Sequence, residues 1–281
     1  MSIIEHAIEK SRAAGQQPKR ARRTGDALER TQQAAAIDPA ARIVPLAVTV
    51  DGVQCRERRL LLNGADGSDS AAVAAYRMLR TRLLHRARAN DWRVIAVTSA
   101  GPNDGKTLTA LNLALSMARE KSREIILLDM DMRNPSVCRT LGVHPPHDLR
   151  NYLERGGDVR HLFFTVGSDN LLIAGSMRPT QHASELLGSP RFEELLSTLR
   201  QGAVDPVVLI DLPPVLLTDD ALVVAPKVDA MLLVASEGVT GRADFTKALS
   251  ILSEFPMAGV VLNRASETTP GYEYHYGYKE D

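Results

Sequence analysis

Short apolar runs alternate with longer segments of helical period through most of this chain. Runs at 94–98, 125–128, 171–174, 207–210, 230–234 and 259–262 predict strands. Stretches near 106–120, 136–141, 147–155, 183–202, 219–226 and 241–254 predict helices. Continuous apolar strands separated by helices predict an α/β fold, with a mostly parallel sheet and helices on both faces. Upstream the pattern is weaker. Val73, Tyr76, Leu79 and Leu83 share one side of a helix expected over about 70–89. Residues 64–70 read as a linker ending in helix-capping residues. Residues 43–62 hold strand-like stretches at 43–46 and 59–62 that the pattern does not place. Ile3, Ile4, Ala7 and Ile8 predict an amphipathic helix over 2–13, and a second helix is expected near 26–36. The chain thus divides into an extension (1–68), a main domain (69–264) and a tail (265–281).

At 281 residues and 44% hydrophobic, the chain can bury a sizeable core. Its formal net charge of zero provides no global field to draw in nucleic acid. Charge is uneven, however: residues 1–30 carry seven Lys/Arg against four acids. The run Lys19-Arg20-Ala21-Arg22-Arg23 reads as a solvated linker or as a contact to an anionic membrane or partner. Cys55 and Cys138 are far apart without metal spacing, so reduced thiols in a reducing compartment are expected. No apolar run approaches the ~18–20 residues that span a bilayer. Glu5 and Glu9 interrupt the N-terminus, which lacks the apolar segment of a secretory signal. The expectation is a cytoplasmic protein that reaches the inner membrane only through a partner.

The candidate chemistry begins after the first strand of the main domain, at Ser99-Ala-Gly-Pro-Asn-Asp-Gly-Lys-Thr107. Strand, loop, Gly-Lys-Thr and helix form the context of a phosphate-binding loop. Gly101, Pro102, Asn103, Asp104, Gly105, Lys106, Thr107 and Leu108 are the candidate nucleotide-binding residues, whose backbone N–H groups (all but that of Pro102, which has none) could surround phosphate oxygens. Lys106 would reach the β- and γ-phosphates, and the Thr107 hydroxyl would hold Mg²⁺. Ala100 stands where such loops usually start with glycine. Asn103 stands where a further glycine is common, and asparagine tolerates positive φ better than most residues. Asp129 and Asp131 follow the apolar run at 125–128, and alternate residues of an extended segment point the same way. Asp211 ends the run at 207–210, where it suits a carboxylate beside Mg²⁺, and Pro213 and Pro214 stop that strand.

Asp129-Met-Asp-Met-Arg-Asn-Pro135, Asp211-Leu-Pro-Pro214 and the proline-containing loop together resemble the bacterial tyrosine kinases of capsule and exopolysaccharide assembly. The resemblance covers about 70–281. Ser184-Glu-Leu-Leu-Gly-Ser-Pro190 and the tyrosine-rich end also match, and the N-terminus is similar to members without a fused membrane domain. It implies a MinD/ParA-like P-loop NTPase fold, ATP and Mg²⁺. It also implies Thr107, Asp131 and Asp211 around the metal, Asp129 as acceptor of the tyrosine proton, and Asn263 near adenine. Arg133 would either stabilise transferred charge or hold its loop. A membrane chain-length determinant, a polysaccharide copolymerase adaptor, is the implied partner, with a homo-oligomer of the kinase itself. MinD/ParA-type ATPases carry a signature lysine where this chain has Gly101. Arg77 and Arg80 fit a subunit-contact motif of the kinases, but its glutamate position is Ala74.

Four of the six tyrosines (Tyr272, Tyr274, Tyr276 and Tyr278) alternate along the last residues. Pro270, Gly271 and Gly277 oppose regular structure there, so the rings are expected to be exposed. Tyrosines on such an arm suit phosphate acceptors. Residues 264–281 could extend roughly 60 Å at ~3.3–3.6 Å per residue, enough to reach a second subunit. The reading is a tyrosine autokinase. The alternative is a non-catalytic nucleotide-dependent regulator of a membrane copolymerase.

Overall fold

The computed structural model describes residues 43, 45–62, 71–145, 147–201 and 205–266. The helices expected over 2–13 and near 26–36, the basic run at 19–23, the 64–70 linker and the tyrosine tail lie outside these residues.

Among the described residues, eight strands form one sheet: β1 (Leu46–Ala47), β2 (Val94–Ser99), β3 (Ile125–Asp129), β4 (Phe164–Thr165), β5 (Leu171–Ala174), β6 (Val207–Asp211), β7 (Ala230–Ser236) and β8 (Met257–Asn263). Their order is β1-β4-β5-β3-β6-β2-β7-β8, and every pairing is parallel except β4 with β5. The described residues also form nine α-helices: α1 (Gly52–Glu57), α2 (Ala71–Asn90), α3 (Lys106–Met117), α4 (Val137–Leu141), α5 (Leu149–Arg155), α6 (Ala183–Leu187), α7 (Pro190–Arg200), α8 (Asp220–Val224) and α9 (Arg242–Leu252).

Strands β2, β3, β5, β6 and β7 are buried along their whole length, because helices cover both faces. Successive residues feed opposite apolar layers. Val94, Ile126, Val208 and Leu233 pack with Leu149, Phe192, Val224 and Leu252 from α5, α7, α8 and α9. Ile95, Leu127, Leu209 and Leu232 pack with Leu84, Leu111 and Val137 from α2, α3 and α4. None of the described helices is long and apolar enough to cross a membrane.

Three local readings change. The helix expected over 183–202 is two helices, broken at Gly188-Ser189-Pro190. Ser189 caps α7, and Pro190 takes its first position, where a missing N–H costs nothing. The apolar stretch at 59–62 is not a strand: Leu60 and Leu62 plug the α2/α3 layer together with Cys55. Cys55, Leu60 and Leu62, assigned to the extension by pattern, are thus buried in the core that α2 and α3 cover. The two-residue strands β1 and β4 extend the sheet beyond the predicted six.

Candidate active site

The site lies at the C-terminal edge of the parallel strands, where ligands bind in open α/β sheets. β2 delivers the loop 100–105, and α3 begins at its end. The first helical bond of α3 runs from Thr109 N–H to Gly105 O (2.9 Å). The N–H groups of Lys106, Thr107 and Leu108 thus have no helical carbonyl to bind and form an anion site at a helix N-terminus.

The loop is held in a strained path. Gly105 has φ +89, and a Cβ there would lie 2.1 Å from Asn263 Nδ2. Asn103 has φ 63, the left-handed region that asparagine tolerates. The buried Asp104 does not turn its carboxylate toward a ligand. It accepts the Gly101 N–H (3.0 Å) on one oxygen and the Thr240 hydroxyl (2.6 Å) on the other. Asn263, at the end of β8, donates to the Asp104 carbonyl (3.0 Å). Asn263 therefore braces the loop from the side. Gly105→Ala should force that brace aside, and weaker Mg·ATP binding with the fold retained is the expected titration result.

The functional side chains converge beneath this loop. Lys106 Nζ donates to Asp131 Oδ2 at 2.7 Å and lies 3.8 Å from Asp211 Oδ1. Thr107 Oγ1 donates to Asp211 Oδ2 at 2.6 Å and lies 3.0 Å from Ser136 Oγ. Asp129 and Asp211 end adjacent strands as register partners. Asp129 Oδ2 accepts the N–H groups of Ser136 and Val137 at 2.9 Å each. Asp129 Oδ1 and Asp211 Oδ1 are buried and accept no hydrogen bond. Such acceptors call for a cation or donor from a ligand.

Burial sets the electrostatics. Desolvation, reinforced by the Asp211 charge, pushes the Asp129 carboxyl up to about 8. Desolvation also raises Asp211, to about 6, though Lys106 and the Thr107 hydrogen bond oppose it. Burial works against the charge on Lys106, but Asp211 and Asp131 outweigh it and raise its pKa.

Arg133 is engaged by side chains of its own chain. Its guanidinium forks onto buried Asp220, with Nε to Oδ2 at 2.8 Å and Nη2 to Oδ1 at 3.0 Å, and it donates to Ser184 Oγ at 3.0 Å. Lys106, Thr107, Asp129, Asp131 and Asp211, named from sequence, meet at one edge. Gly101 and Asn263 lie there too but spend their N–H groups on Asp104, and Arg133 is committed to α6 and α8. Sequence reasoning missed Ser136, Asp220 and Thr240. Asp220 carried a usable signal, a second acid at a helix start after the Pro-Pro turn. Both cysteines are buried and free.

A profile of the ParA family, described as a NUBPL iron-transfer P-loop NTPase, matches residues 92–276. The chain is 33% identical over 178 residues to the tyrosine-protein kinase CpsD of Streptococcus pneumoniae serotype 4, covering 61% of this chain and 76% of that one. It is 30% identical over 241 residues to the tyrosine-protein kinase wzc of Salmonella typhimurium, covering 83% of this chain but 33% of that longer protein. The solved kinase domain of the Escherichia coli tyrosine kinase ETK matches with a TM-score of 0.66 and 27% identity, over 76% of this chain and 84% of that one. The sheet-edge geometry and these similarities agree: the chain belongs to the bacterial tyrosine-protein kinase family, within the ParA-type P-loop NTPases.

Proposed function

We propose that this chain is an ATP-dependent tyrosine autokinase that phosphorylates Tyr272, Tyr274, Tyr276 and Tyr278 of a second copy, and so regulates exopolysaccharide polymerisation and export. The convergence of Lys106, Thr107, Asp129, Asp131 and Asp211 under a P-loop carries this reading.

Phosphoryl transfer needs held phosphates, neutralised charge and an oriented hydroxyl. The α3 N-terminus and Lys106 hold phosphate. Lys106 is already aimed by Asp131, so the nucleotide would compete with a carboxylate for a preplaced ammonium. The oxygens of Thr107, Asp131 and Asp211 suit a hard cation. Among the described residues no three His, Cys, Asp or Glu form a self-contained metal cage. That fits Mg²⁺ carried in with ATP and held by few side chains. When bound, Mg²⁺ supplies neutralisation of the phosphate charge. Asp129 accepts the tyrosine proton. A solvated carboxylate near ~4 is about six units weaker a base than tyrosinate at ~10. At about 8, Asp129 closes most of that gap.

The tail's proposed charge gain is ~1.5–2 negative charges per phosphotyrosine, which would loosen an assembly held by tails in neighbouring sites. Arg80 bears on how copies assemble. It donates to Ser116 O at 2.9 Å and lies 3.4 Å from Glu120 Oε1 of its own chain. With Ala74 at the glutamate position, ring contacts through this helix should differ from those of the family.

The proposed activator is the cytoplasmic tail of a membrane chain-length determinant. Intact-mass analysis after Mg·ATP, with and without that tail, tests the reading. Up to four added phosphates with the activator, and few without it, are expected. No added phosphate under either condition would transfer the account to a non-catalytic nucleotide-dependent regulator.

A further inference from the structure

A groove of about 1340 Å³ runs beside the phosphate loop, between α2, β8 and residues 56–61. Its floor is apolar, with Leu61, Leu79, Leu108 and Val261 among its residues. Its basic side chains are Arg56, Arg59, Arg82, Arg86, Arg264 and His85, and among the described residues no Asp or Glu lines it. Arg86 spends one N–H on the Ala258 carbonyl at 2.9 Å. Arg56, Arg59, Arg82 and Arg264 are exposed. Five guanidinium groups around one concavity concentrate positive potential that favours an anionic occupant. Guanidinium forks match phosphate bidentately.

The chain itself points to the occupant. Ser266, the last described residue, lines the groove. The next fifteen residues, 267–281, carry Glu267, Glu273, Glu280 and Asp281 against a single Lys279, plus the four tyrosines. At ~3.3–3.6 Å per residue they extend about 50 Å, ample to run back along the groove. Phosphotyrosine joins an apolar ring to a dianionic tip, the same pairing as an apolar floor with an arginine rim.

We propose that this groove docks the phosphorylated C-terminal segment of this chain. The proposal rests on the autokinase reading for its source of phosphotyrosine. The groove reaches the phosphate loop at Gly105, with Leu108 of α3 and Asn263 of β8 beside it, so a docked segment lies next to the transfer site rather than in it. Phosphorylation would then move the tail from substrate to bound product, and the charge added by the reaction would be read by the enzyme that added it.

The test is fluorescence anisotropy with labelled peptides of residues 267–281, either unphosphorylated or carrying four phosphotyrosines. The protein is the full chain with Tyr272, Tyr274, Tyr276 and Tyr278 changed to Phe, so that its own tail does not compete. The phosphorylated peptide should bind at least about tenfold tighter, and weaken with salt. Arg59→Gln combined with Arg82→Gln should remove at least about tenfold of that affinity while the melting temperature holds. Lys106→Met should keep it. Equal binding of the two peptides, or wild-type affinity in the double variant, overturns the proposal. So does loss of binding in Lys106→Met, which would put the phosphates on the loop. Binding to phosphatidylglycerol vesicles without phosphopeptide binding would assign the groove to a lipid surface instead. Because the peptide is synthetic, its failure leaves the kinase reading standing. That reading falls by intact mass alone, whatever the peptide does.

Discussion

Lys106→Met should leave a folded protein with no detectable tail phosphorylation and Mg·ATP affinity lower by about 10- to 100-fold. The magnitude follows from charge-assisted bonds worth ~1.5–3 kcal/mol each, with tenfold per 1.4 kcal/mol. Methionine keeps much of the apolar stem, so packing against the loop survives. The lost group is the ammonium that now bonds to Asp131 and faces Asp211. Titration with a fluorescent nucleotide and anti-phosphotyrosine detection measure the two effects separately. Phosphorylation at the wild-type rate would mean that the phosphates are held elsewhere.

The second large effect is expected from Asp129→Asn. General bases contribute roughly 10²- to 10⁴-fold, and a loss in that range is expected in the phosphorylation rate. The fold should hold, because an asparagine oxygen can still accept the Ser136 and Val137 N–H groups. Stability gives an independent readout. The folded pKa of Asp129, about 8, lies above the ordinary carboxylate value. Stability linked to its protonation is therefore fully present at low pH and is lost as pH rises through about 8. Without nucleotide, the wild type should lose melting temperature relative to Asp129→Asn between pH 5 and pH 9. Parallel melting curves across that range would show that Asp129 ionises freely. A base with a raised pKa should also give a rate that climbs with pH, and Asp129→Asn should lack that limb.

What could be read in the sequence was local. The strand-loop-helix around Lys106, and the aspartates ending β3 and β6, sit within short stretches whose periodicity and turn residues announce them. The break before Pro190 was equally local, written in Gly188 and Ser189, but the helical period on both sides masked it. Contacts across long separations were not legible. Arg133 meets Asp220 across 87 positions, and Asn263 meets Asp104 across 159. The first ties Arg133 to α8, and the second places Asn263 against the loop beside Gly105. Neither follows from pattern, because both depend on which strand lies beside which. The place of β1, whose first residue lies in the strand-like stretch at 43–46, and the existence of β4 were hidden for a different reason. Two residues carry no period, and Leu46 gains its place only by pairing with Phe164.

Exposed apolar groups at the sheet edge repeat the lesson. Val260 and Leu262 on β8 are 47% and 58% exposed, though their sequence reads like any buried strand. Edge position, not composition, leaves them uncovered.

The account's central claim is that this site phosphorylates the tail of another copy, and one mixing experiment tests it. One protein carries Asp129→Asn and an intact tail. The other has an intact site and Tyr272, Tyr274, Tyr276 and Tyr278 changed to Phe. Alone, the first should give little tail phosphotyrosine and the second has no tail tyrosines to modify; the two are incubated together with Mg·ATP and the activating membrane-protein tail. The expected result is tail phosphotyrosine on the Asp129→Asn protein. Absence of that signal, beside robust phosphorylation of the wild type under the same conditions, would contradict transfer between copies and place it within one chain.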